Sequence, residues 1–294
     1  MQQGAFALID CLGFKGIWKR TDQALLLKKL KSIMQRIHPQ IMAGLPFHLL
    51  RRTFIITPSL LSDSVAISLR YEDNISADDT DEQKAKKKRV KRREKSYLVW
   101  LLCASTIKVL DLYLKGEPSL VLRGCITYGQ YEHDITETGS FIVGPAVDDA
   151  ANYSEISQGS FVWLHPEAAA LYRSAVRYQQ ETIKMLYDKG DNPELLEGSK
   201  KSLREPLMVD SYDMPLKEEG GGPLRCAVIN PFAFHETEEE RQAVFYAYEK
   251  AMSGNKLDVM LKRQHTQDFL ERANESRREY IDWYNEFIKS VEKR

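Results

Sequence analysis

Asp10 ends the apolar run Phe6-Ala7-Leu8-Ile9 and is followed at once by Cys11-Leu12-Gly13-Phe14, so a lone carboxylate sits where a strand gives way to a glycine turn. A second, Asp63, stands between Leu60-Leu61-Ser62 and Ser64-Val65-Ala66. Arg123 opens the run Gly124-Cys125-Ile126-Thr127-Tyr128-Gly129. Further on, Phe141-Ile142-Val143-Gly144 leads into Pro145-Ala146-Val147-Asp148-Asp149-Ala150-Ala151-Asn152. Carboxylates at adjacent strand ends can hold two divalent ions, Mn2+ or Mg2+: one lowers the pKa of an attacking hydroxyl, the other binds a triphosphate. An arginine clamps phosphate oxygens, and a glycine turn ahead of a helix brings backbone N–H groups to them. These are the parts of a metal–triphosphate site. The thiol of Cys11 is a nucleophile or a metal ligand in principle, but in so apolar a run its side chain reads as core.

For these residues to meet, a sheet must carry them. Residues 4–10 read as a buried strand, and Gly13-Phe14 open a helix. Leu25, Leu26, Leu30, Ile33, Met34 and Ile37 keep helical spacing between Thr21 and Met42. Residues 52–58 and 63–70 read as an antiparallel pair turning at Ser62-Asp63. An apolar helix follows over Tyr97 to Leu114, then a strand over 119–127, a short strand over 141–144, and a helix rich in small residues over Pro145 to Ile156. Strand, helix, two strands, helix, strand is the βαββαβ order of a ferredoxin-like α+β core, with its helices on one face. Beyond it, His165-Pro166 starts a helix running to about Leu186. Residues 188–225 read as loops around one or two short strands, and Cys226 to Ile229 as a strand. Thr237 and Glu240 form a capping box for a helix through Met252. Leu257 to Val291 reads as a last helix, whose Tyr280, Tyr284, Phe287 and Ile288 pack on their own domain. Residues 1–157 are therefore expected to form the core, interrupted by a charged insertion at 73–95. Residues 158–294 are expected to supply the remaining strands and a mostly helical C-terminal extension of the same domain.

Acids and bases balance at 42 each, so no global basic field draws the chain to nucleic acid. The basic block Lys84 to Arg93 lacks interleaved aromatics and follows the acidic Asp78 to Glu82, and so reads as a solvated insertion. Cys11, Cys103, Cys125 and Cys226 form no CxxC pair and read as buried reduced thiols. The first residues lack the layout of a signal peptide, and no apolar run reads as approaching the ~20 residues of a membrane span. The expectation is a soluble cytoplasmic protein with neither nucleic acid nor membrane as partner.

In this order the motifs resemble the class III nucleotidyl cyclases. Asp10-Cys11-Leu12-Gly13-Phe14 is similar to the family's Asp-Ile-x-Gly-Phe, and Ser62-Asp63 to its Gly-Asp. Arg123 to Gly129 resembles its Arg-Val-Gly-Ile-His-x-Gly strand, and Gly144 to Asn152 its Gly-Asp-x-Val-Asn-x-Ala-Ala-Arg helix start. The resemblance is confined to residues 1–157. It implies that Asp10 and Asp63 bridge two catalytic divalent ions and that Cys11 offers only its backbone carbonyl to metal. It further implies that Leu12, Gly13 and Phe14 lie against a nucleoside triphosphate, and that Arg123 contacts its phosphates. The family works as a head-to-tail homodimer, which would draw Asp10 and Asp63 from one subunit and Phe141, Asp148 and Asn152 from the other.

The departures fall at the base. Ser59 stands where adenylyl cyclases place a purine-binding lysine, and Phe141 where they place an acidic residue. Asp148 and Asn152 occupy the transition-state Asn and Arg positions. Retained carboxylates with a rebuilt base pocket resemble the pyrimidine cyclases of bacterial Pycsar anti-phage systems, whose cyclic UMP or cyclic CMP is a second messenger for an effector. The expectation is a uridylate cyclase converting UTP to 3′,5′-cyclic UMP and pyrophosphate. The alternatives are a cytidylate cyclase, an adenylyl cyclase with an unusual pocket, and a non-catalytic nucleotide-sensing module.

Overall fold

β1 (Gln2–Cys11) is buried on both faces: Ala5, Ala7, Ile9 and Cys11 enter one core cluster, Phe6 and Leu8 another. That double-sided pattern makes it a central strand. The computed structural model describes residues 1–12, 14, 17, 21–42, 53–61, 63–72, 80–82, 91–136, 139–190, 192–217, 222–254 and 256–293. β1 pairs antiparallel with β3 (Ser64–Tyr71) on one side and with β4 (Leu122–Thr136) on the other, and β2 (Phe54–Leu61) borders β3. The order β2-β3-β1-β4, with α1 (Gln23–Met42) after β1 and α2 (Arg92–Leu114) after β3, is the ferredoxin-like arrangement of an α+β fold.

Several expectations are corrected. Helices do not lie on one face alone. α1 and α2 pack on the face of Ala5, Ala7 and Ile9, whereas α3 (Pro145–Ser154) sets Ala146 and Ala150 against Phe6, Ala66 and Tyr131 on the other. β4 runs well past residue 127, because its far half pairs with β5 (Gly139–Val143) in a hairpin, where polar residues need no second neighbour. The C-terminal part is mostly helical and supplies the remaining strands, as expected; the strand at residues 162–164 is the one not foreseen. β6 (Val162–Leu164) joins β4 in parallel, and β8 (Leu224–Ile229) and β7 (Met208–Met214) extend the same sheet.

α4 (Pro166–Lys189) is followed by α5 (Pro193–Arg204), in a stretch whose polarity reads as loop. The side chain of Asn192 caps α5 by accepting from Leu195 N–H at 3.1 Å, Pro193 fills its first turn, and Leu203 anchors it against Ile183 and Tyr284. α6 (Glu238–Ala251) begins at the Thr237–Glu240 capping box, and α7 (Leu257–Glu292) lays Tyr284, Phe287 and Ile288 on that same cluster. α2 also departs from the sequence reading. By length and composition it would pass for a membrane span, but most of it is buried inside the fold. Of the charged insertion at 73–95, residues 73–79 and 83–90 lie outside the described residues, as do Gly13 and Ser62.

One buried cation ties the helical layer to the strand that carries Arg123. Lys29 on α1 donates to the carbonyls of Tyr113, Lys115 and Pro118 at 2.6, 2.8 and 2.6 Å. These carbonyls belong to the end of α2 and the connector into β4, and the ammonium satisfies acceptors that the helix end leaves open.

Candidate active site

Strand register builds this site. The antiparallel pairings set Asp10 directly opposite Ser64 on β3 and opposite Arg123 on β4, and directly opposed residues project from the same face. Ser64 Oγ donates to Asp10 Oδ1 at 3.2 Å, and Arg123 Nη2 lies 3.4 Å from Oδ2. Asp63 occupies the tight turn between β2 and β3, and its carbonyl accepts the Cys11 N–H at 3.0 Å. The next N–H, that of Leu12, donates to Val121 O at 2.9 Å. The turn bearing Asp63 is thus fastened to the strand end bearing Asp10. Beside Arg123, a Cβ at Gly124 would run into the Leu8 carbonyl oxygen, so only glycine lets β4 approach β1 this closely.

The Asp10 carboxyl is pushed above the usual carboxylate range, chiefly by burial; Arg123 opposes the shift and the nearby charge of Asp63 adds to it. A divalent cation between the two carboxylates would relieve both causes. Among the described residues, no group of three or more His, Cys, Asp or Glu side chains is placed to hold a metal. The available donors are two carboxylates and the Cys11 carbonyl, with the remaining positions left to water and phosphate oxygens. Hard oxygen donors in that number suit Mg2+ or Mn2+, which are usually held by one or two carboxylates plus substrate phosphates. The residues fit the ions. The Cys11 thiol is buried and pushed up to about 12, chiefly by that burial, so it stays protonated at neutral pH and its side chain belongs to the core.

Arg123 is buried and does more than face Asp10. Its Nη2 lies 3.3 Å from Glu155 Oε2, and its Nη1 donates to the Glu155 carbonyl at 3.5 Å. Lys217 Nζ approaches the same Oε2 at 3.5 Å. Ser64, Glu155 and Lys217 escape sequence reading. Ser64 adjoins Asp63, and its place opposite Asp10 follows once the register is known. Glu155 and Lys217 sit in polar stretches with no local pattern.

The expected base-reading residues make no described contact with Asp10, Asp63 or Arg123. Ser59 is buried on β2, and its Oγ lies 2.8 Å from Nε2 of His133, whose Nδ1 lies 2.8 Å from Ser68 Oγ. Burial lowers the His133 pKa, so this chain of groups is neutral at physiological pH. Neither His133 nor Ser68 carries a signal in the sequence, because only the curl of the β4–β5 hairpin brings β4 back over β2 and β3. Phe141 on β5 is 55% exposed, and Asp148 and Asn152 share an exposed face of α3, one turn apart. No described contact links Phe141, Asp148 or Asn152 to Asp10, Asp63 or Arg123. Leu12 and Phe14 are half-buried and pack against the two largest core clusters.

No family model matches the sequence, and no curated protein does. Solved structures with a similar chain trace match at low sequence identity. The monomeric guanylyl cyclase domain of the RhoGC fusion protein from the aquatic fungus Blastocladiella emersonii is 12% identical, with 59% of this chain and 86% of that one covered and a TM-score of 0.40. The catalytic core of a rhodopsin-guanylyl cyclase with converted specificity, in complex with ATPαS, is 9% identical over 78% and 94%, at a TM-score of 0.43. An adenylate cyclase from Trypanosoma brucei in its monomeric state is 11% identical over 81% and 92%, at 0.40.

Proposed function

We propose that this chain is a nucleotide cyclase acting on a pyrimidine, with UTP the preferred substrate and 3′,5′-cyclic UMP and pyrophosphate the products. The observation that carries the reading is the register-set cluster in which Asp10 lies between Ser64 and Arg123, with Asp63 beside it. Cyclisation joins the ribose 3′-oxygen to the α-phosphorus as the 3′-hydroxyl gives its proton to solvent or to the leaving pyrophosphate. It breaks the bond from the α-phosphorus to the bridging oxygen, which leaves with pyrophosphate; charge stays on the 3′- and phosphate oxygens throughout. What the protein must supply is position and electrostatics. Asp10, Asp63 and the Cys11 carbonyl would hold Mg2+ or Mn2+, which supply charge neutralisation and a more acidic 3′-hydroxyl when bound. Ser64 orients the Asp10 carboxylate, and Arg123 offers a buried guanidinium to the phosphates.

The choice of base is supported by what stands in the two reading positions. Ser59 is part of a neutral hydroxyl–imidazole–hydroxyl chain rather than a lysine, and Phe141 presents an exposed ring rather than a carboxylate. A purine would lack its usual charged partners there, and a buried polar edge left unpaired costs ~1–3 kcal/mol. The exposed Phe141, Asp148 and Asn152 suit a second subunit's site, so the working unit is a homodimer. Synthesis of a second messenger in anti-phage defence is the role that the resemblance to Pycsar cyclases supports. The test is incubation of the purified chain with each nucleoside triphosphate and manganese, with products resolved by chromatography. A cyclic pyrimidine mononucleotide released with pyrophosphate supports the reading; no cyclic product from any triphosphate overturns it.

A further inference from the structure

Glu155 follows the last residue of α3, and its side chain is exposed, yet two cations converge on it. Arg123 Nη2 and Lys217 Nζ lie 3.3 and 3.5 Å from the same oxygen, Oε2. The segment carrying Lys217 is held there by its backbone, independently of the ion pair. Lys217 N–H donates to Ile156 O and Gln158 N–H to Pro215 O, both at 2.9 Å. Arg123 Nη2 is meanwhile shared with Asp10 Oδ2 at 3.4 Å, and its buried Nε has no partner among the described residues. These contacts are longer than the ~2.7–2.9 Å of a well-made charge-assisted hydrogen bond. The guanidinium is divided between two carboxylates and fully engaged by neither. Burial first and Arg123 second lower the Lys217 pKa, and Glu155 opposes the shift.

We propose that Glu155 is an exchangeable counter-ion: its carboxylate holds the anion position that Arg123 and Lys217 define beside Asp10, and phosphate oxygens enter by displacing it into solvent. The inference rests on reading this cluster as a triphosphate site and adds how entry to it is governed. Glu155 is suited to the task because its side chain is 64% exposed and can swing into solvent. Its charge keeps the two cations from collapsing onto Asp10 while no ligand is present. It is a positioning residue and has no part in bond making.

Calorimetric titration of inorganic pyrophosphate into the full chain tests this, with and without manganese. Glu155→Gln keeps the side chain's shape and removes the competing charge, and Glu249→Gln on α6 removes one exposed charge elsewhere. Releasing the two ion pairs of the exposed Glu155 carboxylate should tighten pyrophosphate binding about three- to tenfold in Glu155→Gln, with Glu249→Gln unchanged. Equal or weaker binding in Glu155→Gln, the same gain in Glu249→Gln, or no binding by any variant would overturn the proposal. A tighter Glu155→Gln in a protein that cyclises no nucleotide would instead sink the cyclase reading and leave this inference standing.

Discussion

At the scale of single residues, Asp10 carries the heaviest demand, because the fold withdraws it from water before any metal arrives. A carboxyl whose folded pKa lies above its ordinary 3.8 grips its proton more tightly when folded. Its ionisation therefore subtracts stability: the loss is absent below the unfolded pKa and complete above the folded one. Asp10→Asn should abolish turnover yet leave the thermal midpoint at pH 7 in EDTA unchanged or raised. Manganese should raise the midpoint of the wild type and not that of the variant. A lower midpoint in EDTA, or retained turnover, contradicts the assignment. Asp63→Ala should likewise abolish product while the fold persists, since Asp63 stands in a turn and takes no part in the core. Arg123→Ala should lower kcat/KM by ~1.5–3 kcal/mol, about 10- to 150-fold, as the loss of a charge-assisted clamp. Unchanged kinetics would confine Arg123 to its ion pairs with Asp10 and Glu155.

At the scale of elements, Lys29 is the clearest case of a residue that acts through what it holds. Three carbonyls at the junction of α2 and β4 accept from its ammonium, whose pKa burial lowers to about 8; that of Tyr113 also accepts the Leu120 N–H. Lys29→Met should cost about 2–3 kcal/mol of stability by leaving the Lys115 and Pro118 carbonyls without the ammonium, read as a lower denaturation midpoint with an unchanged slope. No loss would mean that water replaces the ammonium. The sequence shows none of this, because Lys29 is one of several lysines on α1 and its partners lie at and just past the end of α2, more than eighty residues on. What is legible is whatever repeats. Leu26, Ile33 and Ile37 mark α1, the continuous apolar run through Ile9 marks β1, and Asp63 between two apolar runs marks a hairpin. α5 is not legible, because few apolar residues in it reach the core and Asn192-Pro193 is a capping signal easily taken for a loop. The site divides in the same way. Asp10, Asp63 and Arg123 stand out as lone charges in apolar runs, whereas Glu155, Lys217 and His133 enter through contacts that only the folded sheet creates.

At the scale of the whole molecule, no described contact joins the exposed groups of β5 and α3 to the carboxylate pair, and the proposed homodimer would draw the two sets from different subunits. Mixing Asp63→Ala with Asn152→Ala, each inactive alone, should recover about a quarter of wild-type activity, because half the dimers are mixed and each has one intact site of two. No recovery would place both residues in a single subunit's site. The central claim, a cyclase that selects a pyrimidine, is tested most directly by competition. The chain is given equimolar UTP, CTP, ATP and GTP with manganese, and the cyclic products are resolved over time. Cyclic UMP should form first, cyclic CMP second, and the purine products about 5- to 150-fold more slowly, as one unpaired polar edge implies. Cyclic AMP leading the series, or no cyclic nucleotide at all, would contradict the account.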